Sequence, residues 1–368
     1  GITLAYDAPA EGIVRSTFTL RPGAEPGTIR LSYASPVEFG PDGGLTIPFG
    51  NGRFHESAPI AWQRIDGQRV AVPVSFELRE GNEVGFAVGN YDPEVELVID
   101  PVTTWNTFLG GSGDDYGNAI HIATNGDITI VGSSDGTWGS PILPYSATYD
   151  VFVARLDSTG TLVWNTFLGG TFDDYGNGLA VDANGTVFVS GLTEGPWTTG
   201  PTPVSPYVDV DGFVARLDSD GNLIWRTYTG GNGAETCTGI ALSGSGNLAV
   251  TGFSDETWGS PLVGHGGGTD DGFVFLLSSS GSRIWSTFLG GSGANYGECI
   301  AVDGSGAIYI AGSSDAAWGS AVRSFTGLVD GFVARLTSIG SVSWNTFLGG
   351  NGNDAGFSIF VDGNGSLF

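Results

Sequence analysis

The chain contains no methionine and no lysine. Its 13 basic residues are all arginine, set against 39 acidic ones, and the formal net charge is −26. A surface this acidic repels nucleic acid and anionic membranes, which excludes both as expected partners. Two cysteines in 368 residues make no disulfide framework. The three histidines, His55, His121 and His265, lie far apart, and neither HxxxH nor CxxC occurs, so no metal site and no cofactor is expected. No run of about 18 apolar residues could span a membrane as a helix, and no stretch sustains a helical period. There is no GxSxG elbow. The GGSG loops are followed by neither lysine nor helix, unlike phosphate-binding loops. The chain opens on Gly1 without methionine, which reads as a processed N-terminus. With an acidic composition rich in Gly, Ser and Thr, this points to a secreted or cell-surface protein.

What is abundant is glycine, 63 residues, with 17 prolines. These sit between short apolar runs and argue an all-β chain. The stretch WNTFLGG begins at Trp105 and returns at Trp164 and Trp344, with WSTFLGG at Trp285 and WRTYTGG at Trp225. The spacing, 59 to 61 residues, is the mark of a repeat architecture. Between anchors the same segments recur. YGNAIHIA (116–123) is matched by YGNGLAVD (175–182), GDITIVGSS (126–134) by GTVFVSGLT (185–193), and DVFVARLD (150–157) by DGFVARLD (211–218). A loop such as SDGTWGSP (134–141) precedes the third segment. Each segment is β-branched and aromatic and bounded by turn residues, so each reads as a strand. Four strands repeated radially make one propeller blade, whereas solenoid repeats are shorter. The expected fold is an N-terminal β-sandwich or barrel-like domain over 1–101, then a β-propeller of ~60-residue four-stranded blades over 102–368. In the first region GIVRSTFTL (12–20), TIRLSYA (28–34), VAVPVSFEL (70–78) and EVGFAVG (83–89) alternate as strands do.

The stretches WNTFLGGSGDDYGNAI (105–120), GDITIVGSS and DVFVARLD resemble the seven-bladed beta-propeller (SBBP) repeat family of bacterial extracellular proteins. The resemblance covers Trp105 to Phe368 in five copies, the last one short. GITLAYDA, IRLSYASPVEFGPDGGLTI and NEVGFAVGNYDPEVELVIDP resemble the domain of unknown function that commonly precedes these repeats. The resemblance implies a surface or secreted location, and no reaction. The repeats start in mid-unit, with a lone Trp strand at 102–109, and Phe368 falls inside a second strand. Either the protein continues, or a small ring closes with an imperfect blade, or another subunit supplies a strand by strand addition. Head-to-tail sharing of that kind builds filaments.

Several residues are candidates for chemistry. Asp150, Asp211, Asp271 and Asp330 precede the third strand of every unit, and Asp135, Glu194, Asp255 and Asp315 flank the loop Trp. They read either as one hard-cation site per blade or, more simply, as turn caps and partners of Arg155, Arg216 and Arg335. Leu276 stands where the third unit would have that arginine. DSDGN (218–222) lacks the Gly and distal Glu of a calcium loop and reads as a hairpin turn. The pair Asp114-Asp115 recurs as Asp173-Asp174 but becomes Ala234-Glu235 and Ala294-Asn295, a decay unsuited to an acid/base dyad. The loop residues Trp138, Trp197, Trp258 and Trp318 are the ligand-binding candidates, as aromatic faces for sugars. Cys237 and Cys299 form either a disulfide or two buried thiols. Asn184 and Asn364 fit the N-glycosylation pattern inside hairpin turns. No catalytic residue stands out. The expected role is that of a non-enzymatic structural or adhesive protein, self-associating or bound to other extracellular surface proteins, with a filament as one form. The alternative is a propeller binding carbohydrate, and a hydrolase or lyase comes last.

Overall fold

The computed structural model describes residues 1–7, 15–33, 36–40, 43–49, 52–79, 83–100, 109–146, 148–158, 160–362 and 365–368. The expected domain boundary at Asp100-Pro101, the lone Trp strand with Trp105, and Asn364 lie outside the described residues. The chain divides into two compact units. One contains 1–108 with 122–127 and 157–161, and the other contains 109–121, 128–156 and 162–368.

The first unit carries β1 (Ile2–Asp7), β2 (Arg15–Leu20), β3 (Leu31–Ser32), β4 (Glu38–Phe39), β5 (Leu45–Phe49), β6 (Gly52–Glu56), β7 (Ile60–Ile65), β8 (Gln68–Val72), β9 (Val74–Leu78), β10 (Glu83–Val88) and β11 (Leu97–Asp100). They form a five-stranded sheet in the order β1-β2-β11-β7-β8 and two three-stranded sheets, β3-β10-β9 and β4-β5-β6. The inward residues of all three share one core, which includes Phe18, Leu45, Phe86 and Ile99. Phe18 of the large sheet meets Phe86 of a small one edge-on at 5.4 Å. This face-to-face packing is that of a sandwich. Residues 70–78 read as one strand from sequence, but they are two strands in two sheets. The break is Pro73, which has no N–H to give to a ladder and lets the chain change sheets.

The second unit is built of four-stranded antiparallel sheets, each a simple meander and each a propeller blade. The first contains β12 (Asp115–Ile122), β13 (Ile128–Ser134), β14 (Asp150–Leu156) and β15 (Leu162–Leu168). The second contains β16 (Asp174–Val181), β17 (Val187–Thr193), β18 (Asp211–Leu217) and β19 (Leu223–Thr229). The third contains β20 (Glu235–Leu242), β21 (Leu248–Ser254), β22 (Asp271–Leu277) and β23 (Arg283–Leu289). The fourth contains β24 (Asn295–Val302), β25 (Ile308–Ser314), β26 (Asp330–Leu336) and β27 (Val342–Leu348).

The middle strands have neighbours on both faces, so they read as continuous apolar runs; all seven residues of β22 are buried. The first strands of the second, third and fourth blades each pack on the preceding blade. A β-bulge in that strand turns one residue outward, and its side chain reaches the next first strand. Asn177 donates to the Cys237 carbonyl at 3.0 Å and Thr238 to the Gly297 carbonyl at 2.6 Å.

The outer edge of each blade is covered by its own long loop. Ile142 N–H donates to Asn165 O and Phe167 N–H to Leu143 O; the pairs Val204–Arg226 and Tyr228–Ser205, Leu262–Ser286 and Phe288–Val263, and Val322–Asn345 and Phe347–Arg323 repeat the pattern. Covering an outer strand in this way removes edge groups that would otherwise template another chain.

Candidate functional site

The WNTFLGG stretch is the place to build from, because its residues reach in different directions. The Trp side chains staple neighbouring blades. Trp164 Nε1 donates to Ser219 O at 3.0 Å, Trp225 to Ser279 O at 3.1 Å and Trp285 to Ser338 O at 3.1 Å, each acceptor lying in the next blade's hairpin turn. The ring lies over the glycine of that turn. A Cβ on Gly221 would stand 2.8 Å from Trp164, and Gly221 has φ +86, so the position needs glycine twice over.

The Asn of the stretch fixes the loop Trp: Asn165 Nδ2 donates to Trp138 O at 2.8 Å and Asn345 Nδ2 to Trp318 O at 2.9 Å. The Phe of the stretch packs edge-on against that same Trp, with centroids 5.8 Å apart for Phe167 and Trp138 and 5.7 Å for Phe288 and Trp258. The loop tryptophans are therefore not exposed sugar platforms. Trp138, Trp197, Trp258 and Trp318 are 8%, 4%, 2% and 7% exposed, held between aromatic residues of the third and fourth strands. The loop backbone that returns along the outer strand covers them.

The Gly-Gly pair frames a junction of acids. The second glycine's N–H donates to the junction residue four positions on, which opens the next first strand in two cases, Gly170 to Asp174 at 2.8 Å and Gly231 to Glu235 at 3.0 Å, and is Asp354 for Gly350 at 2.9 Å. The first glycine leaves room for that carboxylate and for the third-strand Asp to face each other. A Cβ on Gly169 would stand 2.3 Å from Asp150 Oδ1 and 2.7 Å from Asp174 Oδ2. On Gly230 it would stand 1.9 Å from Glu235 Oε2 and 2.3 Å from Asp211 Oδ1, and on Gly349 2.4 Å from Asp330 Oδ1 and 2.8 Å from Asp354 Oδ2. The third junction differs. There Asn295 Nδ2 donates to Asp271 Oδ1 at 2.9 Å. Burial pushes the Asp174 carboxyl up to about 7, although Thr193, Gly170 and Trp197 donate hydrogen bonds to it. Burial also pushes Glu235 up to about 7 and Asp211 to about 6. Two carboxylates this close disfavour double ionisation.

The cap reading holds for one oxygen of each third-strand Asp. Thr326 N–H donates to Asp330 Oδ2 at 2.6 Å and Val208 N–H to Asp211 Oδ2 at 2.8 Å. The expected arginine partners lie at the other end of the strand, five residues away or roughly 16 Å. Arg216 donates to Ser279 O at 3.5 Å and Arg335 to the Tyr309 hydroxyl at 3.0 Å. The loop acids cap turns as expected, with Asp255 accepting from Ala234 N–H at 2.9 Å and Asp315 from Ala294 N–H at 2.7 Å. The dyad that looked decayed in sequence is misread as a pair. Its second member alone, at 115, 174, 235, 295 and 354, is the junction residue, always a carboxyl or its amide.

The disulfide alternative fails, and Cys237 and Cys299 are free thiols. Cys237 faces Gly212 and Thr229 in the preceding blade, while the Cys299 thiol points to Ala311 and Gly356 carbonyls in the following direction. Burial pushes Cys237 up to about 12 and Cys299 to about 11. Asn184 is exposed in its hairpin turn. His121 is held below the usual range by burial, and His265 Nδ1 lies 3.5 Å from Asp271. Among the described residues no three His, Cys, Asp or Glu side chains group as a metal site, and no helix is long and apolar enough to cross a membrane.

Comparison with known proteins agrees with this arrangement. A domain of unknown function, DUF7948, matches residues 1–102, and the SBBP beta-propeller repeat matches 284–317. An uncharacterized WD repeat-containing protein of Acanthamoeba polyphaga mimivirus is 24% identical over 139 residues, covering 36% of this chain and 10% of that protein. The regulatory protein FlaEY of Caulobacter vibrioides is 25% identical over 289 residues, covering 68% of this chain and 30% of that protein. The chain thus spans less than a third of these curated relatives. Among solved structures, a candidate gluconolactonase covers 84% of this chain and 94% of its own at 13% identity and a TM-score of 0.30. A eukaryotic initiation factor covers 91% and 97% at 9% identity and 0.31. Neither likeness bears on function. The two matches place a DUF7948 domain at the start of the chain and an SBBP beta-propeller repeat in its last third.

Proposed function

We propose that the protein is a non-enzymatic structural or adhesive scaffold, secreted or held at the cell surface, where it associates with copies of itself or with other extracellular proteins. One observation carries this reading. The residues the chain repeats, the anchor tryptophans, the loop tryptophans and the acids, turn inward and hold blade to blade, so the repeat is a construction unit. An acidic, lysine-free surface keeps such a scaffold soluble and off anionic membranes. The buried loop tryptophans count against the carbohydrate alternative. The loop-covered outer strands count against strand sharing at those edges, so a filament would be joined by loop or end contacts. Fractionation of the native source with an antibody, followed by negative-stain microscopy of the positive fraction, tests the proposal. Assemblies in the medium or surface fraction are expected. Recovery as a dispersed monomer from the cell interior would overturn it.

A further inference from the structure

The third and fourth blade junctions differ by one atom type, and that difference points to a ligand. In the third, Asn295 Nδ2 sits between two oxygens, donating to Asp271 Oδ1 at 2.9 Å and to Gly293 O at 2.8 Å. Its own Oδ1 accepts from Ser314 at 2.6 Å. The amide group thus places a positive dipole at the centre of the junction. In the fourth junction the corresponding residue is Asp354, which has no hydrogen to give when ionised. The oxygens around it remain. Asp330 is fully buried, and its Oδ1 has no hydrogen-bond partner among the described residues. A point at the Cβ position of Gly327 lies 2.6 Å from Gly350 O, 2.7 Å from Asp330 Oδ1 and 2.9 Å from Gly352 O. The Cβ position of Gly349 lies 2.4 Å from Asp330 Oδ1 and 2.8 Å from Asp354 Oδ2. Gly352 O accepts only a long bond, 3.5 Å, from Val329 N–H. Asp330 Oδ1 is common to both sets, with Gly350 O and Gly352 O around the first point and Asp354 Oδ2, standing where the third junction holds an NH2 group, beside the second.

We propose that the Asp330–Asp354 junction binds a hard divalent cation of the calcium class. Calcium takes six to eight oxygens at about 2.3–2.6 Å, mixing carboxylates with backbone carbonyls and water. Asp330 Oδ1, Asp354 Oδ2, Gly350 O and Gly352 O supply four. Asp354, Gly350 and Gly352 are not fully buried, so water can reach the remaining positions. The absence of a three-acid cluster is compatible with this, since half of the set is backbone. The glycines are necessary because a side chain at 327 or 349 would fill the site. The Asp211–Glu235 junction repeats the carboxylate pair, and its Asp211 Oδ1 is likewise buried without a partner. In that view the repeat joins its blades in two ways, by an amide at the third junction and by a cation at the fourth.

The test is equilibrium dialysis with calcium alone, in about 0.15 M NaCl to screen diffuse binding to the acidic surface, on the full chain and three variants. Asp354→Asn copies the third junction and is expected to fold, with one calcium fewer bound per chain. Asn295→Asp copies the fourth and is expected to bind one more. Asp220→Asn, at an exposed turn position, is expected to change nothing. Calcium at a hundredfold excess over its Kd is expected to raise the thermal midpoint of the parent by roughly 5 °C over EDTA, an increment smaller in Asp354→Asn. Equal stoichiometry in parent and Asp354→Asn would overturn the proposal, as would an equal loss in Asp220→Asn.

Discussion

Asp174→Asn isolates the electrostatics of one junction. In the parent, Asp174 is fully buried and faces Asp150 across Gly169. Burial pushes its carboxyl from 3.8 up to about 7. A folded-state value above the unfolded one means that the folded chain holds the proton more tightly. The associated stability is fully present below about pH 4 and is lost as the pH rises to about 7. A shift of about 3 units corresponds to about 4 kcal/mol, which the parent lacks at pH 8 relative to pH 4. Asparagine does not titrate, so this part of the pH dependence disappears. Its amide can donate toward Asp150 as Asn295 does toward Asp271. The substitution also removes an acceptor. Gly170 N–H loses its carboxylate oxygen, which costs about 1 kcal/mol at every pH. The variant should therefore be slightly less stable than the parent near pH 4 and more stable near pH 8. Urea denaturation of the two proteins in EDTA at several pH values reads the difference directly. A difference constant from pH 4 to 8 would refute the reasoning, since it would mean that Asp174 is ionised throughout.

Three further outcomes follow from the same geometry. Gly230→Ala, whose Cβ would meet Glu235 and Asp211, should lose about 3 kcal/mol. Gly244→Ala, with nothing within 4 Å, should stay within about 0.5 kcal/mol of the parent in the same urea titration. Trp258→Ala should lose about 3–5 kcal/mol by leaving a cavity among Phe273, Phe275 and Phe288, with no effect on a glycan array; loss of sugar binding in a stable variant would restore the carbohydrate reading. Cys237 and Cys299 should resist a thiol reagent at pH 8 while folded and give two equivalents in guanidinium, whereas an intact mass showing a disulfide would contradict the packing.

The period and the strands were legible because each segment carries its own evidence, β-branched and aromatic residues between turn residues. The repeat itself was legible from the spacing of the anchor tryptophans, though not the hydrogen bonds by which they join blades. The acid junction was not. Its partners, such as Asp150 and Asp174, belong to different units 24 residues apart, and comparing units position by position never sets them side by side. The signal that could have found it is the second position of the apparent dyad, which alternates only among Asp, Glu and Asn. The loop tryptophans misled for another reason. A Trp in a Gly-, Ser- and Pro-rich loop gives no sign of which way its ring faces. The clue lay elsewhere, in an aromatic residue recurring on the third and fourth strands of each unit, which needs a partner. Pro73 was a clear break signal, overridden by the alternation on either side of it.

The second blade shows why these positions act as one joint. Its anchor stretch reads WRTYTGG, with Arg226 for Asn and Tyr228 for Phe. The change at 226 removes the amide that Asn165 and Asn345 use, while Tyr228 keeps the edge-on ring contact with Trp197 at 6.2 Å. The arginine replaces the lost contact. Arg226 Nη2 donates to Trp197 O at 2.8 Å, as Asn165 does for Trp138. The Tyr228 hydroxyl accepts from Trp197 N–H at 2.9 Å and from Arg226 Nε at 3.2 Å. Trp197 Nε1 in turn donates to Asp174 at 2.7 Å, whereas Trp138, Trp258 and Trp318 Nε1 have no partner among the described residues. The loop Trp, the anchor stretch and the junction acid are thus connected by hydrogen bonds in one network. A group of residues that changes together while its geometry is kept is constrained by the joint it makes rather than by a ligand at any single position.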